Sequence, residues 1–269
     1  MQVFWQYLVL VAAALTVLFP ILYALIVSLE TAAESVAYPP RFIPSQLHWA
    51  SYRKALDTAP IFRFIFNSFV VSTIVMLGQL VTASLAAYAF SFLNFKGRNT
   101  LFLAFLSTMM IPWEVTIIPN YFTIKYLGWL DTFQGLTVPF LATAFGTFLL
   151  RQAFLTIPRE LYDAAVMDGC GHFRFFTTIV LPMSRPALGT LAVYSFLTTY
   201  NQYLWPLLVT NSDKMRTVQI GLGMLQWDQS IAWNSMMAGV VLVLLPTALL
   251  LILGQRQLVR GLRAGALKG

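Results

Sequence analysis

Residues 157–182 read IPRELYDAAVMDGCGHFRFFTTIVLP, a charged and polar stretch set between two apolar runs. Upstream, residues 133–154 contain Arg151 as their one Asp, Glu, Lys or Arg, and downstream residues 186–209 contain none. An α-helix rises about 1.5 Å per residue and needs about 20 mostly apolar residues to cross the hydrocarbon core. Both flanks meet that length, so the polar stretch reads as a loop outside the bilayer that joins two spans.

The rest of the chain has the same character. With 58% hydrophobic and 10% charged residues, and a mean hydropathy of +0.73, the 269 residues are too apolar for a soluble domain. Six windows are long enough to span: 4–29, 67–91, 101–120, 133–154, 186–209 and 235–254. They predict an all-α, polytopic membrane protein with six transmembrane helices, a single domain over residues 1–269, and no room for a large soluble domain. The first window contains Ala12-Ala13-Ala14, which resembles a signal-peptide cleavage site. However, its apolar run from Val3 to Leu29 exceeds the roughly 7–15 residues of a signal core and has no basic segment before it, so it reads as a retained helix.

Charge placement orients the spans. If the N-terminus is cytoplasmic, the inside segments together with Arg151 hold ten Lys and Arg against three acids, and the outside segments hold seven against six. Placement adds to the count: Lys96 and Arg98 lie in a very short loop, and Arg256, Arg260, Arg263 and Lys268 follow directly on the last span. Positive residues so close to span ends favour the cytoplasm. Both termini are therefore predicted inside, and so is the loop 155–185. The net charge of +7 then reflects topology and anionic headgroups, with no nucleic-acid partner implied. Cys170 stands alone, which excludes an internal disulfide and suits a reducing compartment.

Within the loop, Pro158 fixes φ for a helix start, Thr156 is placed to cap it, and Glu160 and Asp163 put negative charge near the positive end of the dipole. A short helix over about 159–168 follows, ended by Gly169 in the left-handed conformation, with Gly171 adding turn freedom. Glu160, Asp163, Ala164 and Met167 recur at three- and four-residue steps and form one face. Ala164 and Ala165 permit close approach, and the carboxylates can pair with Arg or Lys of a partner. Such a helix can fill a docking groove or lie on the membrane surface.

The spacing goes further. Asp163-Ala164-Ala165, three residues, Gly169, nine residues and Ile179-Val180-Leu181-Pro182 resembles the EAA loop of ABC importer permeases, Glu-Ala-Ala, three residues, Gly, nine residues, Ile-x-Leu-Pro. Asp163 replaces the usual Glu, which keeps the charge and shortens its reach by one methylene. Pro158-x-Glu160-Leu161 and Asp168-Gly169 are similar to that loop in carbohydrate importers. The likeness covers nearly the whole chain. The loop between the fourth and fifth spans, the Ile111-Pro112 to Ile118-Pro119 segment and the run Tyr200-Asn201-Gln202-Tyr203-Leu204-Trp205-Pro206 are similar to the second permease of maltose-type and glycerol-3-phosphate-type importers, most of all to the glycerol-3-phosphate branch.

The resemblance implies a type I ABC importer permease in a bacterial inner membrane, paired with a homologous permease. Two ATP-binding subunits would bind the ATP and Mg, this chain would hold no cofactor or metal, and an extracytoplasmic binding protein would deliver the solute. It implies a coupling role for Glu160, Asp163, Ala164, Ala165, Met167, Asp168, Gly169, Leu181 and Pro182. No Gly-x-x-x-x-Gly-Lys-Ser/Thr run occurs, so the chain is not expected to be the ATPase or an enzyme in its own right.

Polar side chains inside the spans are candidates for the solute path or for bonds between helices. They are Glu114, Asn120, Tyr200, Asn201, Gln202 and Trp205, with Gln79, Tyr121 and Gln134 as further hydrogen-bonding groups. Outside loops 30–66 and 210–233 could meet a binding protein, the second through Gln226 and Trp227. A stand-alone secondary transporter or channel is the competing class. It predicts paired intramembrane charges or an inverted repeat, and the sequence displays neither.

Overall fold

The computed structural model describes residues 2–227 and 232–266. In chain order the helices are α1 (Gln2–Ser28), α2 (Ala50–Thr58), α3 (Ile61–Phe92), α4 (Arg98–Ser107), α5 (Trp113–Tyr126), α6 (Phe133–Thr137) and α7 (Ala144–Phe154). They continue as α8 (Arg159–Met167), α9 (His172–Phe175), α10 (Leu181–Met183), α11 (Arg185–Tyr200), α12 (Leu204–Val209), α13 (Val218–Trp227) and α14 (Trp233–Ala266). No strand occurs among the described residues, in agreement with the all-α reading.

Two helices are by themselves long and apolar enough to cross a membrane, Phe4–Ser28 and Ile61–Phe92. Three further pairs pass that test only together: Arg98–Met110 with Trp113–Tyr126, bent by 96°, Phe133–Phe140 with Ala144–Phe154, bent by 46°, and His172–Met183 with Arg185–Tyr200, bent by 78°. The described residues thus give two to five spans, and the windows 101–120, 133–154 and 186–209 are not the continuous helices that hydropathy suggested. Proline explains the sharpest break. Ile111 is extended (φ −84°, ψ 114°) because the ring of Pro112 disfavours helical backbone in the residue before it, and α5 starts directly after that ring. The window 186–209 is interrupted after Tyr200, and α12 resumes at Leu204.

The chain forms two compact units, and the boundary at residue 66 falls within α3. The first contains residues 1–66 and 216–249. Of the α1 window only 6% is buried, so Phe4, Leu10, Val17 and their neighbours present an apolar surface suited to lipid. Elsewhere the unit packs closely. Phe64 meets the backbone face of Gly221, and Leu225 meets that of Gly239. Asn234 Nδ2 donates to the Glu30 carbonyl and to Ser51 Oγ, both at 2.9 Å.

The segment between α1 and α2 is tied to one carboxylate. Glu34 Oε2 accepts from Thr31 N and Thr31 Oγ1 (3.1 and 3.0 Å), and Oε1 accepts from Ser45 N and Arg41 Nη1, both at 3.3 Å. Hydrogen bonds from Ser45 first, and then from Thr31, hold the Glu34 carboxyl down at about 2 from an ordinary 4.5.

The second unit contains residues 67–215 and 250–269. One core joins Ala83, Ala87 and Tyr88 of α3 to Leu150 and Phe154 of α7, Ala165 of α8, Phe175 of α9, and Leu191 of α11. Another gathers Val71, Ile117, Ile124, Leu136, Trp205 and Val209. Polar bonds fix helix to helix, as sequence reading allowed: Gln79 Nε2 donates to the Phe140 carbonyl (2.8 Å) and Thr82 Oγ1 to that of Leu141 (2.7 Å). Asp131, at φ 58°, accepts from the amides of Asn211 and Ser212 and from Ser212 Oγ.

A folded-state pKa below the unfolded value stabilises above the unfolded pKa and ceases to do so as pH falls through the folded one. Amide protection over residues 31–45, taken relative to the intrinsic exchange rate at each pH, is therefore expected to be high at pH 6, to fall between about 4.5 and about 2, and to be low already at pH 6 in Glu34→Ala. A variant with the wild-type profile would show that this carboxylate does not order the segment.

Candidate functional site

The 157–182 stretch folds into two helical pieces that meet at a glycine turn. Pro158 takes the N-cap position (φ −55°, ψ 135°) and α8 runs from Arg159 to Met167, one residue short of the expected end. Thr156 does not cap it. Its hydroxyl donates instead to the Ala153 carbonyl at 2.7 Å, because residue 156 still lies in the terminal turn of α7.

At the other end Gly169 has φ +73°, with its N–H on the Val166 carbonyl (3.0 Å) and Cys170 N–H on that of Ala165 (2.8 Å). These are the two crossed bonds of a Schellman ending, which only a residue at home in the left-handed region closes without strain. Sequence reading did not foresee the helical segment that follows, from α9 through a π-helical turn over Phe176–Val180 to α10. Pro182 has no N–H to donate, and Thr177 and Thr178 turn their hydroxyls back to the Phe173 and Arg174 carbonyls (3.0 and 2.6 Å), both of which favour a widened turn.

The helix has distinct outer and inner faces. Glu160, Asp163, Ala164, Met167 and Asp168 are exposed, with Met167 at 88%. Ala165 is buried at 8%, so of the two alanines only Ala164 is open to a partner, and Ala165 seats α8 on its own chain. Leu181 and Ile179 likewise pack against that inner core, and Pro182 is half-buried.

An aromatic clamp secures the seat. Tyr162 stacks on His172 (centroids 5.9 Å, 23°) and meets Phe175 edge-on at 5.1 Å, and Phe92 of α3 meets both Tyr162 (5.9 Å) and Phe175 (5.3 Å). Tyr88 Oη and His172 Nδ1 lie 2.9 Å apart, a hydrogen bond whose donor follows the histidine tautomer. Tyr88, Tyr162 and His172 were not among the expected site residues. The sequence signal for them was only the aromatic density of the loop, since Tyr88 lies 84 residues from His172.

The candidate path residues separate. Glu114 stands exposed in the first turn of α5, and Asn120 is half-buried. Asn201 is exposed, with Nδ2 on the Leu197 carbonyl (2.9 Å), and Gln202 is half-buried with Oε1 enclosed and unpartnered. Tyr200 and Trp205 are each 1% exposed. Tyr200 packs against Phe69 and Phe196. The Trp205 ring lies edge-on to Trp113 and Phe140, and its Nε1 donates to the Gly135 carbonyl at 3.0 Å. A Cβ at Gly135 would meet the Trp129 carbonyl oxygen, so this junction is close-packed on both sides. Gln226 is exposed near the end of α13, whereas the Trp227 side chain lies outside the described residues.

The family model described as "Binding-protein-dependent transport system inner membrane component" matches residues 79–264. The chain belongs to that family. This permease is similar over 95% of its length to proteins named "sn-glycerol-3-phosphate transport system permease protein UgpE". That of Brucella abortus is 39% identical over 265 residues, covering 95% of this chain and 94% of the relative. That of Agrobacterium fabrum is 40% identical over the same shares, and that of Yersinia enterocolitica 36% over 264 residues. A solved bacterial ABC transporter involved in the import of the acidic polysaccharide alginate shares its fold, with a TM-score of 0.83 at 21% identity over 93% of this chain and 94% of that chain. An alginate ABC transporter in complex with an alginate pentasaccharide-bound periplasmic protein is similar at a TM-score of 0.64 and 13% identity, over 93% and 92% of the two chains. Family membership displaces the stand-alone transporter or channel.

For this permease the left-handed turn is a local requirement. Nothing lies within 4 Å of a Cβ built at Gly169, so Gly169→Ala changes only backbone preference, at about 1–2 kcal/mol. Faster exchange at the amides of residues 169 and 170 is expected, with Gly169→Asn intermediate. Wild-type exchange in the alanine variant would exclude strain as the reason for glycine here.

Proposed function

We propose that this chain is the second of two permeases in a binding-protein-dependent ABC importer for a glycerol-phosphate-type solute or a sugar, with sn-glycerol-3-phosphate the first solute to test. Residues 1–269 act as one transmembrane domain with six crossings and both ends in the cytoplasm. The relatives' names support the solute class, and the charge placement supports the topology.

One observation carries the mechanism: α8 turns Glu160, Asp163, Ala164 and Met167 outward and is fixed from behind through Ala165 to a core shared with α3, α7 and α11. A partner that grips the outer face therefore moves these three helices with it. The partner is an ATP-binding subunit, one of two, which holds the ATP and Mg. Asp168, Gly169, Leu181 and Pro182 end the helix and carry the connection into α11.

Closure of the ATP-binding subunits then shifts the permease pair from inward-facing to outward-facing. To go from 1:99 to 99:1 requires about 5.5 kcal/mol of differential binding. Glu114, Asn120, Asn201 and Gln202 supply hydrogen-bonding groups for a hydroxylated solute, and the segment around Gln226 and Trp227 faces the binding protein.

Replacement of the docking face tests this reading. In the reconstituted transporter, Asp163→Lys with Ala164→Arg is expected to insert and pair normally while solute-stimulated ATP hydrolysis and uptake fall to background. Retention of both would sink the coupling role. Topology is tested separately in a Cys170→Ala background. In intact cells a membrane-impermeant maleimide is expected to label Tyr38→Cys, at a residue 96% exposed, and to leave Asn99→Cys unlabelled until the membrane is opened. The reverse pattern would overturn the orientation.

A further inference from the structure

Beside the first turn of α8 lies a cavity of about 240 Å³ whose polar lining is Ser91, Asn94, Arg98, Arg159 and Tyr162. Phe92, Phe154 and Ile157 supply apolar wall. No Asp or Glu lines it, and among the described residues neither guanidinium has a carboxylate within ion-pair distance. Arg98 is half-buried and held in place by donation from Nη1 to the Leu93 carbonyl at 3.1 Å, which leaves its other N–H groups for a ligand. Ser91 Oγ is shut off from solvent and has no hydrogen-bond partner.

The adjoining depression runs over residues 94–100 and has the same sign of charge. Lys96 and Arg98 line it, as do Asn99 and Thr100 in the first turn of α4, which has no acidic residue and no side-chain cap. The helix dipole therefore adds to the positive potential.

Two guanidiniums without a carboxylate and an amide around one small space call for an anion with several acceptor oxygens in a compact, non-planar arrangement. A tetrahedral phosphate meets that requirement. A lone carboxylate has two coplanar oxygens and engages one guanidinium side by side. The volume lies below the roughly 300–1,000 Å³ of sites for drug-sized molecules, which suits a phosphate group and excludes a whole nucleotide. A lining that is part apolar and part cationic matches the boundary between acyl chain and headgroup.

We propose that this cavity binds a phosphate group, that of an anionic phospholipid headgroup in the cytoplasmic leaflet, and so ties the root of α8 to the membrane surface. The assignment to that leaflet rests on the topology proposed above, whereas phosphate binding itself does not.

The test uses the intact transporter, purified, delipidated and returned to phosphatidylcholine nanodiscs with or without phosphatidylglycerol. Retained lipid is read by native mass spectrometry and the unfolding temperature by thermal shift. The wild type is expected to retain phosphatidylglycerol and to gain thermal stability from it. Arg159→Gln is expected to weaken retention about tenfold, Arg98→Gln with Arg159→Gln more strongly, and Arg159→Lys to restore most of it.

A second arm titrates inorganic phosphate without anionic lipid. Stabilisation there that disappears in Arg159→Gln, with no lipid retention, keeps the phosphate site and assigns it to a soluble source. Equal retention and equal shifts in wild type and Arg159→Gln overturn the proposal. So does a loss of ATP-binding subunit from Arg159→Gln with no change in either phosphate readout, since Arg159 would then pair with that protein. Because no readout involves ATP turnover, failure of the coupling reading leaves these outcomes distinct.

Discussion

The position of α8 depends on how closely it can approach the core of the second unit. The side chain at Ala165 faces Phe154, Phe175 and the rest of the cluster, and a methyl group is what allows the helix to sit there at 8% exposure. Close-packed interiors leave few voids and transmit displacement. A helix seated by a methyl group and stacked aromatic rings passes a push to its neighbours, whereas one joined by long flexible side chains would absorb it. The two alanines of the Asp163-Ala164-Ala165 run therefore do different work: Ala164 is exposed, and Ala165 seats the helix on its own chain.

The aromatic clamp explains how a short helix keeps its position. Nine residues are too few for an isolated helix to persist in water, so α8 takes its order from tertiary contact. Tyr162, His172 and Phe175 come from the loop itself, and Tyr88 and Phe92 from the end of α3. The same end of α3 leads through Leu93 and Asn94 into the basic cavity, so α8 and the phosphate-sized space are built on one support.

Polar residues in the spans show a contrasting economy. Gln79 and Trp205 each spend a donor on a carbonyl left open where helical hydrogen bonding is interrupted, at Phe140 and Gly135. Where the backbone is broken inside an apolar environment, such groups must be satisfied by neighbours. A polar side chain in a span is thus as readily a structural bond as a lining for a path, and the type of residue does not separate the two. Asn201 and Gln202 lie one and two residues from buried Tyr200 and yet keep more exposure, a difference set by the turn at the end of α11.

By itself the sequence determined the all-α membrane class, the extent of α1, the end of α3, the start of α8 at Pro158 and its end at Gly169. Those features follow from local rules: apolar length, the fixed φ of proline and the left-handed freedom of glycine. It also carried the spacing by which the family could be recognised, because that pattern lies within one short stretch. Only the tertiary structure decided that Ala165 faces inward, that Tyr88 reaches His172, that Tyr200 and Trp205 are packing residues, and that the third and fourth windows are bent and the fifth is interrupted. Each of these depends on which distant segment lies opposite a given side chain, and hydropathy along the chain contains no term for what lies across from it.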